Sequence, residues 1–101
     1  MPELIREHSV RVRSPEGLRF IPRIYGERRA DGTWIGWIEF VSINDSDSTL
    51  RTGRETSQPN RRALEYWSTG LQPVYLQGAF TRAHLIRSRS GREANHGPAS
   101  T

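Results

Sequence analysis

The chain has 101 residues and a formal net charge of +4, and all 15 of its basic residues are arginines, against 11 acidic residues. That length predicts one domain, and the lack of any Cys or Lys excludes disulfides, thiolate chemistry, Cys-type zinc sites and lysine-based catalysis. The chain has neither an apolar run long enough to span a membrane nor an apolar signal region in its first ten residues. We therefore expect a cytoplasmic protein without membrane contact.

Most of the excess positive charge lies at the C-terminal end. Residues 1–81 carry eleven arginines against ten acidic residues, whereas residues 82–101 carry four arginines against one. The nearly neutral first part is not typical of a dedicated DNA-binding domain. Residues 88–101 are poor in apolar side chains and rich in Ser, Gly and Arg. They predict a disordered basic tail after a single domain over residues 5–87.

The N-terminal third predicts two strands. Residues 8–13 alternate polar and apolar side chains, and residues 14–17 (Ser-Pro-Glu-Gly) favour a type I turn. Residues 18–25 form the second predicted strand. Pro22 within it has no N–H to donate to a sheet ladder, so this strand is expected at a sheet edge or at a bulge.

Asp31-Gly32 is the strongest local signal, because this pair favours a two-residue type I′ hairpin turn between β-capable runs. Such a turn would pair Tyr25 with Ile38 and Gly26 with Trp37. Residues 33–43 then form a central strand that is apolar on both faces. One face carries Trp34, Ile38 and Phe40, and the other carries Ile35, Trp37 and Val41.

The second half of the chain predicts a short strand over residues 49–55 and then helical structure. Ser57 is expected to cap a helix over residues 60–69, which would end at Gly70 in a left-handed conformation. Residues 73–87 have a helical stripe of apolar side chains, but residues 74–80 also alternate, so helix and strand both stay open. The predicted fold class is α+β: a small antiparallel sheet of three to four strands packed against one or two C-terminal helices.

The sequence ADGTWIGWIEF (30–40) followed by GRETSQPNRRALEYW (53–67) resembles the HicB antitoxin type of small α+β domain. The resemblance implies a bacterial-type, nucleic-acid-associated regulator. At the helix start, this chain has Arg62-Ala63 where that type has an acidic residue before Ala.

Catalytic and metal-binding patterns are missing from the sequence. The histidines, at positions 8, 84 and 96, have no partner at metal-ligand spacing, and no G-x-S-x-G motif is present. We therefore predict a protein that is not an enzyme and needs no cofactor.

A binding surface is the remaining functional prediction. Arg23, Tyr25, Arg29, Trp34 and Phe40 could interleave on one sheet face, where the aromatic rings would stack on bases and the arginines would neutralise phosphates. Packing of the same rings in the core is the interpretation that the sequence favours, because three Trp in so small a domain are needed there. Trp37, together with Arg61 and Arg62 at the start of the predicted helix, completes the candidate surface. The leading hypothesis is a non-enzymatic interaction module that binds a protein partner or a second copy of itself. The alternative is a nucleic-acid-associated regulator, and weak nonspecific nucleic-acid binding is expected only through the tail.

Overall fold

The computed structural model describes residues 1–44 and 48–99, with side chains described as far as Arg87. Within these ranges the chain forms six strands and two helices. In chain order they are β1 (Glu3–Glu7), β2 (Val12–Arg13), β3 (Arg19–Arg28), β4 (Trp34–Ser42), β5 (Thr49–Arg51), β6 (Thr56–Gln58), α1 (Arg61–Thr69) and α2 (Pro73–Ala99). The architecture is α+β, as the sequence predicts, with both helices following the sheet.

The sheet is antiparallel and has four strand positions. β3 and β4 form its centre, β1 and β2 pair in succession with the outer edge of β3, and β5 and β6 pair with the outer edge of β4. The strand predicted over residues 8–13 is wrong in extent, because only Val12 and Arg13 pair. The sequence also gave no indication of β1, whose charged and mostly exposed side chains lack the apolar alternation of a half-buried strand.

β3 is an internal strand, so the prediction that Pro22 places it at a sheet edge is wrong. Pro22 lies opposite the break between β1 and β2, where its carbonyl accepts a hydrogen bond from the backbone N–H of His8 at 3.0 Å. The N–H and C=O of one residue in an antiparallel strand face the same neighbour. The nitrogen of Pro22, which has no hydrogen to donate, therefore faces this break. No hydrogen bond between β3 and β4 requires an N–H at this position.

Both hairpin loops before and after β3 contain three residues and end in a glycine with positive φ. In the first loop, Gly17 (φ +87°) donates to the Ser14 carbonyl at 2.9 Å, in agreement with the turn predicted there. In the second loop, Gly32 (φ +90°) donates to the Arg29 carbonyl at 3.0 Å. The predicted type I′ turn is wrong, because it requires a positive φ at Asp31 as well, and Asp31 does not have one.

The longer loop shifts the register between β3 and β4 by one residue. Tyr25 pairs with Trp37 rather than with Ile38, and Gly26 pairs with Gly36 rather than with Trp37. Because side chains alternate between the faces of a sheet, a shift of one residue brings a different set of side chains together on each face.

The even-numbered residues of β3 and β4 face the helices and are mostly buried. Phe80 of α2 packs against Phe20 at 4.9 Å between ring centroids, and edge-on against Phe40 at 5.3 Å. The core on this side of the sheet consists of Val12, Phe20, Ile24, Ile38, Phe40, Leu50, Leu76, Ala79, Phe80 and Ala83.

α1 begins one turn later than Ser57 predicts. Asn60 is the N-cap, and its side-chain oxygen accepts a hydrogen bond from the Ala63 N–H at 2.8 Å. Ser57 lies instead in β6, so its predicted capping role is wrong. The helix ends at Gly70 with φ −92°, not in the predicted left-handed conformation, and the Gly70 N–H closes the last turn on the Trp67 carbonyl.

α2 resolves the alternatives for residues 73–87 in favour of a helix. Leu76, Phe80 and Ala83 lie on its buried side at the predicted helical spacing. The α2 backbone continues to Ala99, into the predicted tail, but no side chain after Arg87 is described. The predicted disorder of residues 88–101 therefore stays a prediction, and residues 100–101 lie outside the described part of the chain.

Candidate functional site

One face of the sheet is covered by the two helices, and the other face is open. Leu64 of α1 contacts Gly26 and Gly36, and Phe80 of α2 contacts Phe20 and Phe40, so both helices pack on the even-numbered side. The opposite side, here named the open face, includes Glu7, Ile21, Arg23, Tyr25, Glu27, Ile35, Trp37, Glu39, Val41 and Arg51.

Tyr25 and Trp37 form the centre of the open face. They are direct partners in the ladder between β3 and β4, and their rings lie nearly parallel, 6.3 Å apart at the centroids with an interplanar angle of 16°. The half-buried side chains of Ile35 and Val41 lie on the same strand to either side of Trp37. The result is an apolar and aromatic strip on the side without helices, interrupted between Trp37 and Val41 by the ladder pair Arg23 and Glu39.

Trp37 is only 2% exposed, although no described helix covers it. The guanidinium carbon of Arg51 lies 4.3 Å from the centroid of the Trp37 ring, and the indole Nε1 donates a hydrogen bond to Glu39 at 3.1 Å. Arg51 thus stacks on the ring as a cation, which is a favourable arrangement for an indole. The Trp37 ring is therefore held in place by contacts within its own chain.

A second contact fixes the charged part of the open face. The Arg23 Nε donates a hydrogen bond to a carboxylate oxygen of Glu7 at 2.8 Å, which joins β3 to β1. This hydrogen bond raises the pKa of the Arg23 guanidinium further above its ordinary range. Because both side chains are more than a third exposed, the pair orients the two groups and adds little to stability.

The structure brings together three of the predicted binding residues: Arg23, Tyr25 and Trp37 share the open face. Trp34 does not belong with them, because it lies on the helical side, 9% exposed. Phe40 is likewise buried in the core on that side. The predicted grouping of Arg23 and Tyr25 with Trp34 and Phe40 is wrong, since it depended on the two-residue turn and its register.

The other three predicted residues are arginines that lie elsewhere. Arg29 closes the β3–β4 loop through a backbone hydrogen bond to Thr33 at 2.7 Å. Arg61 donates to Glu3 at 3.2 Å, also pairs with Glu65, and lies 5.9 Å above the Trp34 ring. Arg62 is exposed.

Sequence reasoning missed Arg51, Glu39 and Glu7 on the open face. The first two lie opposite each other in the β4–β5 ladder, so they meet on the same face as Trp37. The strand predicted over residues 49–55 is wrong in extent, because β5 ends at Arg51, and its register was not predicted. Glu7 belongs to the strand that the sequence did not indicate.

A buried carboxylate connects α2 to the sheet. The Glu55 side chain is only 9% exposed, and its Oε1 accepts hydrogen bonds from the Tyr75 hydroxyl and from Arg82, both at 2.5 Å. Burial raises the pKa of the Tyr75 hydroxyl above its usual value of 10.0, and the hydrogen bond to Glu55 raises it further. The carboxylate is occupied by two donors, so this cluster holds the helix in place.

The described residues contain no group of three His, Asp or Glu side chains that could hold a metal ion. None of the helices in the same part of the chain is long and apolar enough to cross a membrane.

Comparison of the chain with protein-family models, with curated proteins and with solved structures finds no match.

Proposed function

We propose that the chain is a small non-enzymatic interaction module whose open face binds a protein partner, and that this partner is a second copy of the chain. The observation that carries the proposal is the placement of both helices on one face of the sheet. The other face keeps Tyr25, Ile35 and Val41 only half-buried. Covering such a face with a two-fold-related copy is the commonest way for soluble chains to self-associate.

The composition of the open face supports a protein partner. Aromatic residues and arginine are enriched at protein interfaces, and they supply most of the residues whose truncation weakens binding strongly. Trp37 is held by Arg51 and Glu39, and Arg23 is held by Glu7. Side chains that are ordered in advance lose little conformational entropy on binding, which favours association.

The charges on the open face favour a second copy in particular. Arg23 and Arg51 share the face with acidic residues at positions 7, 27 and 39, so the two signs are mixed. A two-fold axis through the face would bring arginines of one copy near acidic residues of the other. Such mixed surfaces select partners by complementary potential.

The size of the face suggests weak association. A nine-residue strand such as β4, at about 3.4 Å per residue, and four strand positions about 4.8 Å apart give a flat footprint of roughly 500 Å². A standard interface buries about 800 Å² on each partner. We therefore expect dissociation in the micromolar range.

Light scattering over a series of micromolar concentrations tests the proposal. The wild-type chain should show a mass that rises from monomer to dimer. Ile35→Arg should abolish the rise, because it places a charge in the apolar strip. Leu85→Arg is the matched control: Leu85 lies on α2 and is 57% exposed, so the same charge there should leave the dimer intact.

A strict monomer over the whole concentration range would overturn the proposal, and so would a dimer that Ile35→Arg leaves unchanged. Circular dichroism of both variants establishes that they fold. The alternative function, a nucleic-acid-associated regulator with the HicB-type resemblance, would use the same aromatic residues to stack on bases. That function is less well supported, because Arg51 already stacks on Trp37.

A further inference from the structure

A groove of about 780 Å³ lies on the helical side of the sheet, beside α1. Trp67 and Tyr75 form one wall, with their rings edge to face and 6.4 Å apart at the centroids. Leu71, half-buried, lies between the helices. Tyr66 stands at the rim and is 82% exposed.

The charge at this groove is unbalanced. Arg62 lines it, and within the described part of the chain its side chain has neither a hydrogen bond nor an ion pair. The neighbouring Arg61, by contrast, is neutralised by Glu3 and Glu65. No carboxylate is among the described residues that line the groove, where the other polar groups are the amides of residues 58 and 60, the indole N–H of Trp67 and the hydroxyls of Tyr66 and Tyr75.

We propose that this groove binds a small amphipathic organic anion, with an aromatic ring against Tyr66 and Trp67 and an acidic group at Arg62. Ligand pockets hold about 300–1,000 Å³ and combine apolar walls with a few polar groups that fix orientation, and the groove matches both properties. Arginine pairs with carboxylate, sulfonate or phosphate oxygens through charge-assisted hydrogen bonds. The unpaired cation at an apolar wall therefore complements a ligand that carries one ring and one negative charge.

The proposal is independent of self-association through the open face. α1 packs on the even-numbered side of the sheet, where Leu64 contacts Gly26 and Gly36, so the groove and the open face lie on opposite sides. A dimer formed through the open face would leave the groove free.

Two fluorescent probes of similar shape separate the contribution of the charge from that of the ring. The first is 8-anilinonaphthalene-1-sulfonate, which is an anion, and the second is N-phenyl-1-naphthylamine, which is neutral. Saturable binding of the anion with one site per chain is expected, with energy transfer from Trp67. Arg62→Gln should weaken anion binding by about five- to tenfold and change binding of the neutral probe by less than about twofold.

Two further variants complete the test. Arg54→Gln removes an exposed arginine outside the groove and should leave binding of both probes unchanged. Tyr66→Ser should weaken both probes, and its 82% exposure makes the substitution compatible with folding. Equal loss of anion binding in Arg62→Gln and Arg54→Gln would overturn the proposal, because it would show attraction by overall charge. Undiminished binding in Tyr66→Ser, or binding that does not saturate, would overturn it too.

Discussion

The Cδ2 atom of Leu64 occupies the space that a side chain on Gly26 would need: a Cβ built on Gly26 lies 2.3 Å from it. The Cδ1 atom of the same leucine lies 2.7 Å from a Cβ built on Gly36, which is the ladder partner of Gly26. One fully buried side chain of α1 therefore fits into a depression made by two adjacent glycines. The depression lets the helix approach the centre of the sheet closely.

Gly36→Ala is expected to lower the free energy of unfolding by about 1–3 kcal/mol, because the added methyl group would lie 2.7 Å from the Leu64 Cδ1 atom and overpack this contact. Leu64 is fully buried, so its methyl group can shift only by displacing neighbouring atoms of the core. Urea denaturation followed by circular dichroism measures the change.

Gly53→Ala is the control for this prediction. A Cβ at Gly53 would meet no atom within 4 Å, and the backbone there has no positive φ. Its effect on stability should be close to zero. If Gly53→Ala and Gly36→Ala destabilised the chain equally, the cost would come from the loss of glycine itself and not from contact with Leu64.

Local sequence patterns predict most of the strands and helices, but they do not predict which residues of β3 and β4 pair. The alternation of residues 33–43 correctly separates Trp34, Ile38 and Phe40 from Trp37, because the period of a strand depends on the strand alone. Which residue of β3 pairs with Trp37 depends on the loop. The conformations of Asp31 and Gly32 fix the loop at three residues, and the same dipeptide is compatible with two.

The candidate site depended on that register, so the sequence could predict it only in part. Tyr25 and Trp37 were both candidates, but their direct pairing follows from the three-residue loop. Arg51 stacks on Trp37 only through the pairing of β5 with β4, a contact between segments joined by a polar loop. An edge strand whose side chains are exposed on both faces does not show the alternation of apolar and polar residues that identifies a half-buried strand. The strand that contains Glu7 was missed for that reason.

The contact between Tyr75 and Glu55 predicts a dependence of stability on alkaline pH. The pKa of Tyr75 is raised in the folded chain, so its stabilising contribution is complete below the unfolded value of 10.0 and declines as the pH rises from there through the folded pKa. The difference in unfolding free energy between wild type and Tyr75→Phe should therefore shrink above a pH of about 10.

Urea denaturation at several pH values between about 8 and 11 measures this difference. Tyr66→Phe is the matched control, because Tyr66 is 82% exposed and forms no contact with a carboxylate in the described part of the chain. Its stability should follow that of the wild type at every pH. A constant difference between wild type and Tyr75→Phe would contradict the raised pKa.

Removal of residues 88–101 should leave folding intact. The described core contacts of α2 end at Ala83, and Arg87 makes the last described hydrogen bond, to the Thr49 carbonyl at 3.0 Å. The thermal midpoint should change by less than about 3 °C, which corresponds to under about 1 kcal/mol for a domain of this size.

Removal of residues 82–101 should destabilise the chain strongly, because it deletes buried Ala83 and the Arg82–Glu55 pair. Equal losses for the two deletions would show that the tail itself packs on the domain.

Removal of residues 88–101 also distinguishes the interaction module from the nucleic-acid-associated regulator. Of the four C-terminal arginines, Arg82 pairs with Glu55 and Arg87 with the Thr49 carbonyl. Only Arg89 and Arg92 lie beyond these contacts. With a salt dependence of roughly 0.7 per phosphate contact on single strands, two arginines support a logarithmic slope of no more than about 1.4.

Fluorescence anisotropy with a labelled single-stranded oligonucleotide, titrated at several salt concentrations, measures that slope. Full-length chain should bind weakly, and the chain truncated after Arg87 should not bind at physiological salt. Tight binding by the truncated chain, with quenching of tryptophan fluorescence, would favour the regulator, and stacking on Trp37 in particular would have to displace Arg51 from that ring. In that case Arg51→Ala should change the quenching, Arg54→Ala should not, and the open face would be a surface for nucleic acid instead of for a second copy of the chain.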